Sequence, residues 1–158
     1  MSVEKVPHPS IVEISEEAWK YKVRRLTFKK AASPLDTNAY STSSTDYVKV
    51  ATEKVNFGLA NAIIHIVRAR FVRDSRTNNA AYGAHSRIKI AGNPYCEGST
   101  HSTDYVTLDN ESIVDLFVKA DANGKIAVDV ELSIENASYK AYIKNITVEI
   151  WGMVIEPE

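Results

Sequence analysis

The sequence of 158 residues is poor in the residues on which many catalytic and covalently stabilised sites depend. Cys96 is the only cysteine, which excludes an intramolecular disulfide and a thiolate zinc site. The six glycines never occur as G-x-G, so no glycine-rich phosphate-binding loop is present. The motifs G-x-S-x-G and H-E-x-x-H are also absent. The sequence therefore predicts a protein that is not an enzyme and has no catalytic residues.

A charge excess of one sign and long apolar runs are lacking as well. The formal net charge is −1, whereas a protein that binds nucleic acid needs a basic surface to meet the phosphate backbone. No run reaches the roughly 18 apolar residues of a membrane-spanning helix, and the start of the chain lacks the apolar core of a signal peptide. We expect no nucleic-acid partner and no membrane span. The basic stretch 20–30 is interpreted as a solvated strand face or a subunit contact.

What the sequence does contain is a succession of strand patterns. Between residues 125 and 135, apolar residues alternate with small or charged ones, which is the pattern of a half-buried strand. The apolar members are Ile126, Val128, Val130, Leu132 and Ile134. Further strands are predicted at 19–29, 46–50, 53–57, 61–73, 80–91, 104–108, 113–120 and 138–151. The stretch 62–72 is long enough for a helix, but its β-branched residues favour a strand.

The sequence also predicts one turn and two irregularities within these strands. The pair Asn123-Gly124 supplies the positive φ angles of a type I′ turn, so the run 113–118 and the strand from Lys125 are predicted to form a hairpin. The apolar pattern changes phase within 19–29, which predicts a β-bulge or a bend there, and again near Asn145, which predicts a β-bulge.

The most informative feature is a repeated segment. Residues 41–48 read STSSTDYV and residues 99–106 read STHSTDYV, with seven of eight positions identical. A second match, between residues 79–85 and 136–142, follows in the same order at nearly the same offset. We interpret the two matches as two copies of one unit of about 58 residues, each with about four strands.

Four strands cannot bury an apolar face alone, so two such units must pack together. We predict an all-β domain over residues 19–158, a β-sandwich of which the jelly roll is one form. It is built from repeats at about 41–98 and 99–156 plus the N-terminal strand.

Residues 1–18 are predicted to be a separate N-terminal arm with two prolines and a short β-branched run. The run consists of Ile11, Val12 and Ile14. Because sandwich edges carry unpaired backbone groups, the run could add a strand to a neighbouring subunit. The alternative is that the arm folds back onto its own domain.

Beyond residue 41 the chain resembles a group of viral and cellular proteins. The motif S-T-x-S-T-x-Y-V, the alternating strands that follow, and N-A-S-Y-x-A-Y-x-K-N-x-x-V-x-I-W-G at residues 136–152 are similar to small duplicated β-sandwich proteins of phages, archaeal viruses and their hosts. The resemblance covers about residues 41–152. It implies a structural role in a virion or at a cell surface, and it carries no catalytic residue.

Tyrosines are the candidate contact residues. Tyr47 and Tyr105 are repeat mates, as are Tyr82 and Tyr139. If their rings are exposed, they could contact a partner or stack on sugars; if they are buried, they fill equivalent places in the duplicated core. His65 lies inside an apolar strand and is interpreted as a structural histidine.

No cofactor is predicted. A structural calcium ion is the alternative, because oxygen-rich loops of β-sandwiches suit it. The candidate ligands are Asp74, Asp109, Asp121, Asn123 and Glu135. Cys96 and His101 have the residue types of a nucleophile pair, but such a pair would need a third group to orient it.

Together these observations predict a non-enzymatic structural protein that assembles with copies of itself, as a capsid, decoration or fibre component of a virion. A carbohydrate-binding module and a cell-surface filament subunit are the alternatives. The expected partners are further copies of the chain, other virion proteins or a surface glycan, and the expected location is the virion or an extracellular surface. A coplanar row of exposed aromatic rings would favour glycan binding, whereas a large apolar subunit contact would favour assembly.

Overall fold

The computed structural model describes residues 21–28 and 39–155, which form nine β-strands and no helix. In chain order the strands are β1 (Tyr21–Phe28), β2 (Tyr40–Thr42), β3 (Val48–Asn56), β4 (Ile63–Thr77), β5 (Ala84–Ile90), β6 (Asn93–Thr100), β7 (Val106–Lys119), β8 (Lys125–Ile134) and β9 (Ala141–Ile155). The predicted all-β class is confirmed. Within these residues there is no helix that could cross a membrane.

The strands form two antiparallel sheets. Sheet 1 has the order β1-β9-β4-β7, with β2 also paired to β9, and sheet 2 has the order β3-β8-β5-β6. Apart from the β5–β6 hairpin, every connection from β2 onward crosses from one sheet to the other. This is the jelly-roll form of the predicted sandwich. Each half of the chain contributes strands to both sheets, whereas the sequence had suggested that each four-strand unit packs as a block against the other.

The core lies between the inward faces of the two sheets. On β4, the inward side chains of Ile64, Ile66 and Phe71 are fully buried. On β8, the five apolar residues of the predicted alternation are all buried, so that strand is confirmed: Ile126, Val128, Val130, Leu132 and Ile134. The stretch 62–72 is a strand and not a helix, because β4 occupies the centre of sheet 1 between β9 and β7.

The opposite face of β8 differs from the sequence interpretation, which placed its charged residues in solvent. Glu131 is buried, with 8% of its surface exposed. Its carboxylate lies 2.7 Å from Nε of Arg87 and 3.6 Å from Nζ of Lys89. Because β8 is a central strand, cations on the neighbouring β5 reach over the acid and cover it.

Several strand boundaries also differ. The segments 46–50 and 53–57 are one strand, β3, with a register shift between Lys49 and Ala51. The segments 104–108 and 113–120 are likewise one strand, β7. The sequence missed β2 and β6; β6 reads NPYCEGST, which has little β-propensity, and it becomes a strand because β5 offers it an edge to pair with.

The predicted β-bulge near Asn145 is confirmed, whereas the described part of the first strand has no bulge, the first of the two forms predicted for it. Asn145 has a positive φ of 54°, and the pairing of β9 with β4 shifts register beside it. By contrast, β1 pairs with β9 without interruption from Tyr21 to Phe28.

The Asn123-Gly124 turn does not form the predicted hairpin, because β7 and β8 belong to different sheets. Gly124 has the only positive φ in this turn, at 77°. The side chain of Asp121 organises the crossing instead: its Oδ1 accepts the backbone N–H of Asn123 at 2.8 Å and of Lys125 at 2.9 Å. Lys54 adds an ion pair at 3.1 Å to the other carboxylate oxygen.

The two Ser/Thr-rich segments adopt the same local structure. The N–H of Ser44 donates to Oγ1 of Thr42 at 3.1 Å, and Oγ of Ser44 donates to the carbonyl of Asp46 at 2.7 Å. The same two bonds recur within residues 100–104, at 3.1 and 2.6 Å. The N–H of Ile134 donates to the carbonyl of Ser44, and that of Thr77 to the carbonyl of Ser102, both at 2.9 Å. Each segment therefore caps a strand of the other half of the chain.

Replacing Glu131 with Lys should lower the free energy of unfolding by about 2–4 kcal/mol, because it removes a buried acid and adds a third cation beside Arg87 and Lys89. Glu53→Lys on the exposed side of β3 is the matched control and should change it by less than about 0.5 kcal/mol. Urea denaturation of both variants measures the difference. Equal effects at the two positions would contradict the burial of Glu131.

The pKa of Asp121 is lowered to about 2, because the N–H of Lys125, the ammonium of Lys54 and the N–H of Asn123 stabilise its ionised form. The unfolded-state pKa is near 4, so this stabilisation is present above about pH 4 and is lost as the pH falls towards 2. Asp121→Asn should therefore be less stable than the unmodified protein at pH 7. The gap between their unfolding curves should close between about pH 4 and pH 2; a gap that is the same at both ends of this range contradicts the assignment.

Candidate interaction surface

The predicted contact tyrosines lie at the end of the sandwich where the β2–β3, β4–β5, β6–β7 and β8–β9 connections meet. Tyr82 and Tyr139 stack on one another, with ring centroids 5.2 Å apart and an angle of 18° between the planes. Both are half-buried. The residues of the predicted arm, Ile11, Val12 and Ile14, lie outside the described residues.

Hydrogen bonds between the β4–β5 and β8–β9 loops hold the stacked tyrosine pair in place. The N–H of Gly83 donates to Oε1 of Glu135 at 2.7 Å, and the N–H of Glu135 donates back to the carbonyl of Gly83 at 3.2 Å. The equivalent bonds join Lys140 and Asn78, at 2.9 and 3.2 Å. The second oxygen of Glu135 lies 2.8 Å from Nε2 of His85. These hydrogen bonds join the two loops that carry Tyr82 and Tyr139.

The other two tyrosines each carry a cation over the ring, on different sheets. The guanidinium of Arg87 on β5 lies 3.9 Å from the ring centre of Tyr47, and Nζ of Lys144 on β9 lies 4.0 Å from that of Tyr105. The hydroxyl of Tyr47 donates to Glu97 at 2.6 Å. Burial and the Glu97 carboxylate raise the pKa of Tyr47. The four tyrosines are therefore divided among three separate contacts and do not form one row.

A buried arginine, which the sequence analysis did not identify, lies in the core. Arg73 is fully buried and donates to Oγ of Ser86 at 2.7 Å, to Oδ1 of Asn110 at 2.6 Å and to the carbonyl of Phe71 at 3.1 Å. Burial lowers the pKa of Arg73 to about 10. A Cβ at Gly98 would lie 2.7 Å from its Nη2, so the glycine makes room for the guanidinium. Its position in the strand alternation could have revealed this burial, because Arg73 lies two residues after Phe71 and therefore on the same inward face of β4.

The residues considered for catalysis and calcium are engaged with protein groups. Cys96 is buried, its thiol donates to the carbonyl of Ala69 at 3.3 Å, and burial raises its pKa, so the reactive thiolate is disfavoured. Asp74 accepts hydrogen bonds from Thr107 and Asn145. In the part of the chain that the structure describes, no three His, Cys, Asp or Glu side chains come together in a way that could hold a metal ion.

Among residues 39–155, the most exposed large apolar side chains lie elsewhere, on the outer face of sheet 1. Ile113 is 84% exposed and Phe117 is 61% exposed, both on β7. Strand register places them in two rows that cross three strands. We call these six residues the row patch: Phe117, His65 and Met153 in one row, and Ile113, Arg68 and Trp151 in the other.

Contacts between neighbouring side chains fix the orientations of the residues in the row patch. The rings of His65 and Phe117 stack at 4.3 Å with 4° between their planes. Nε2 of His65 lies 2.7 Å from Oδ1 of Asp115, which agrees with its interpretation as a structural histidine. The guanidinium of Arg68 lies 4.5 Å from the ring centre of Trp151.

Acids on β7 compensate the cations of β4. Nε of Arg68 donates to Glu111 at 2.8 Å, and Nη2 of Arg70 lies 2.6 Å from Asp109. Hydrogen bonding to Arg70 lowers the pKa of Asp109. The two arginines of β4, Arg68 and Arg70, are therefore paired within the chain.

The sequence held a signal for the row patch that the analysis passed over. The run 113–118 was read as apolar throughout, but alternate residues of a strand face opposite sides. Ile113 and Phe117 share the phase of the acids at 109, 111 and 115, which places them on the solvent face. Apolar residues on the same solvent-facing side of an edge strand as its charged residues indicate a surface that contacts a partner.

Comparisons with known proteins give likenesses of fold only. No protein-family model matches the sequence, and no curated protein sequence matches it. Among solved structures, the chain is similar to the CBM36-1 domain of a multidomain xylanase from the hindgut metagenome of Trinervitermes trinervoides, with 11% identity, a TM-score of 0.45, and coverage of 83% of this chain and 96% of that one.

A mutant of a carbohydrate-binding module of family 29 has 14% identity and a TM-score of 0.35, with coverage of 81% of this chain and 92% of that one. T=1 particles derived from infectious bursal virus give 10% identity and a TM-score of 0.35; the match covers 89% of this chain but only 38% of the viral one. At these identities and scores the likeness concerns the fold alone and carries no information on function.

Proposed function

We propose that this protein is a non-enzymatic structural protein that assembles with copies of itself through the row patch. The observation that carries the proposal is the exposure of Ile113 and Phe117, which are 84% and 61% exposed on the outer face of an ordered edge strand. Burying these two side chains against a neighbouring copy would contribute about 1.5–3 kcal/mol each.

The composition of the row patch supports a protein contact. Interface centres are enriched in aromatic residues, Met and Arg and are depleted in Lys. The row patch has Phe117, Trp151, Met153 and Arg68, and it has no lysine. Trp and Arg are also the residues that most often dominate binding energy.

The electrostatics of the surface permit burial. An unpaired charge is costly to remove from water, whereas a charge that keeps its partner is much less so. Arg68 keeps its ion pair with Glu111 within the same chain, and His65 keeps its hydrogen bond to Asp115. A neighbouring copy can therefore cover Arg68 without leaving its charge unpaired.

The geometry of β7 favours a contact by the sheet face. Within residues 21–28 and 39–155, β7 pairs in its sheet only with β4, and β6 approaches its other side, where the N–H of Cys96 donates to Oγ of Ser112 at 2.8 Å. Charged residues on an edge strand discourage the addition of another strand, and β7 carries Asp109, Glu111 and Asp115. A neighbouring copy would then contact the outward side chains of Ile113 and Phe117 and would not pair with the backbone of β7.

The role in a virion, as a capsid, decoration or fibre protein, is the more specific part of the proposal. Jelly rolls occur in viral capsid domains and in lectins, and the resemblance of residues 41–152 to phage and archaeal-virus proteins supports the first of these. In this arrangement the arm 1–18, through Ile11, Val12 and Ile14, would add a second contact between subunits. The protein would then be located in the virion or on an extracellular surface.

A carbohydrate-binding module is the second candidate, and one observation favours it. The ring of Phe117 lies flat on His65 and keeps 61% of the residue exposed. The side chain of the neighbouring Asp115 is 83% exposed. A flat apolar ring beside a carboxylate could stack on a sugar ring and accept hydrogen bonds from its hydroxyls. A cell-surface filament subunit would use the same contact as a virion protein.

The double variant Ile113→Ser, Phe117→Ser should shift the protein from an oligomer to a monomer in size-exclusion chromatography with light scattering. Both side chains are already exposed, so the thermal melt should remain within a few degrees. Leu59→Ser, which removes a 37% exposed apolar residue of the β3–β4 connection outside the row patch, is the control and should keep the oligomer. A protein that is monomeric at high concentration, or a double variant that still assembles, contradicts assembly through the row patch.

The glycan alternative makes a different prediction for Phe117 alone. If it holds, the monomeric protein should be retarded in native gels that contain a soluble neutral polysaccharide such as xylan or glucomannan. Phe117→Ala should abolish the retardation, while Ile113→Ser should leave most of it, because an aliphatic side chain does not stack on a sugar. Unretarded migration in both gels contradicts binding of these two polysaccharides.

A further inference from the structure

A cavity of about 270 Å³ lies at the opposite end of the sandwich from the stacked tyrosines. It is formed where β7 ends, β8 begins and the β5–β6 turn comes close. Its apolar lining consists of Val118, Ile126, Ala91 and Ala127. The volume is slightly below the roughly 300 Å³ at which ordinary ligand sites begin, so a ligand must be small.

The rim of the cavity is basic. Lys54, Lys119 and Lys125 line it together with a single acid, Asp121. The ion pair with Lys54 and two backbone N–H groups already satisfy the Asp121 carboxylate. Lys119 and Lys125 have no ion pair within the described residues, so two positive charges remain at the rim.

The turn that carries Lys125 is fixed before any ligand arrives. The N–H of Phe57 donates to the carbonyl of Gly124 at 2.8 Å, and the N–H of Asn61 donates to the carbonyl of Asp121 at 2.9 Å. A Cβ at Gly124 would lie 2.7 Å from the backbone N of Leu59, which shows how closely the two crossings pack. A preformed site binds with a smaller entropic cost than a mobile one.

We propose that this cavity binds a small organic carboxylate, whose apolar body packs on Val118 and Ile126 and whose charge is held by Lys119 and Lys125. The apolar lining disfavours inorganic anions, which have no apolar surface to bury. The two unpaired ammonium groups disfavour a neutral ligand, because a charged hydrogen bond is about twice as strong as a neutral one. The site adjoins the row patch, because Lys119 follows Phe117 by two residues on β7, but none of its lining residues belongs to that patch.

Phenylacetate and its neutral isostere phenylacetamide are suitable probes, observed by ¹H–¹⁵N NMR of the full chain. Phenylacetate should shift the amides of Val118, Ile126 and Ala127, and phenylacetamide should bind at least about tenfold more weakly. The double variant Lys119→Gln, Lys125→Gln should weaken phenylacetate by about tenfold or more while its spectrum stays dispersed. Lys119→Gln alone, at an exposed position, provides a folded variant of intermediate affinity.

Lys140→Gln is the matched control, because Lys140 is an exposed lysine at the opposite end of the sandwich. It should bind phenylacetate like the unmodified protein, as should Ile113→Ser, Phe117→Ser if the cavity and the row patch are independent. Equal affinities for the two probes, shifts confined to the row patch, or unchanged binding by the double lysine variant would each overturn the proposal.

Discussion

The burial of two inward sheet faces against one another is the constraint on which the rest of the structure depends. Without disulfides, the apolar faces of β4 and β8 must exclude water over their full length, and they do so with residues such as Phe71 and Leu132. The buried Arg73 is tolerated in this core because Ser86, Asn110 and a carbonyl satisfy its guanidinium. Outward residues are then free to serve other purposes, and the exposed Ile113 and Phe117 belong to this group.

The two halves of the chain share several local contacts. The Ser/Thr turns and the loop exchange occur in both, and a cation covers a tyrosine in both. The charges on the two sheets, to each of which both halves contribute, differ, however. On sheet 2 Arg87 pairs with Glu131, whereas on sheet 1 the acids of β7 pair with Arg68 and Arg70 beside exposed apolar residues. This difference between the sheets marks the surface that we propose for contact.

Much of the fold could be predicted because strand alternation and repeated turn motifs are local properties of the sequence. The alternation of β8 and the phase change at Asn145 are examples. What failed depended on partners distant in sequence: β6 exists because β5 pairs with it, and Glu131 is buried because Arg87 reaches over it. The site was missed for a related reason. The tyrosines were conspicuous in composition, but only strand register places His65 of β4 beside Phe117 and aligns Trp151 of β9, across β4, with Ile113.

The interleaving of the strands has a consequence for folding. Because the connections cross from sheet to sheet, neither half of the chain contains a complete sheet, and β1 pairs with β9 at the far end of the sequence. Contacts between segments so far apart carry a large loop-closure entropy and slow folding. During synthesis, sheet 1 cannot close until β9 has left the ribosome. Until then the apolar face of β4 remains exposed, and concentration-dependent aggregation competes with folding in that interval.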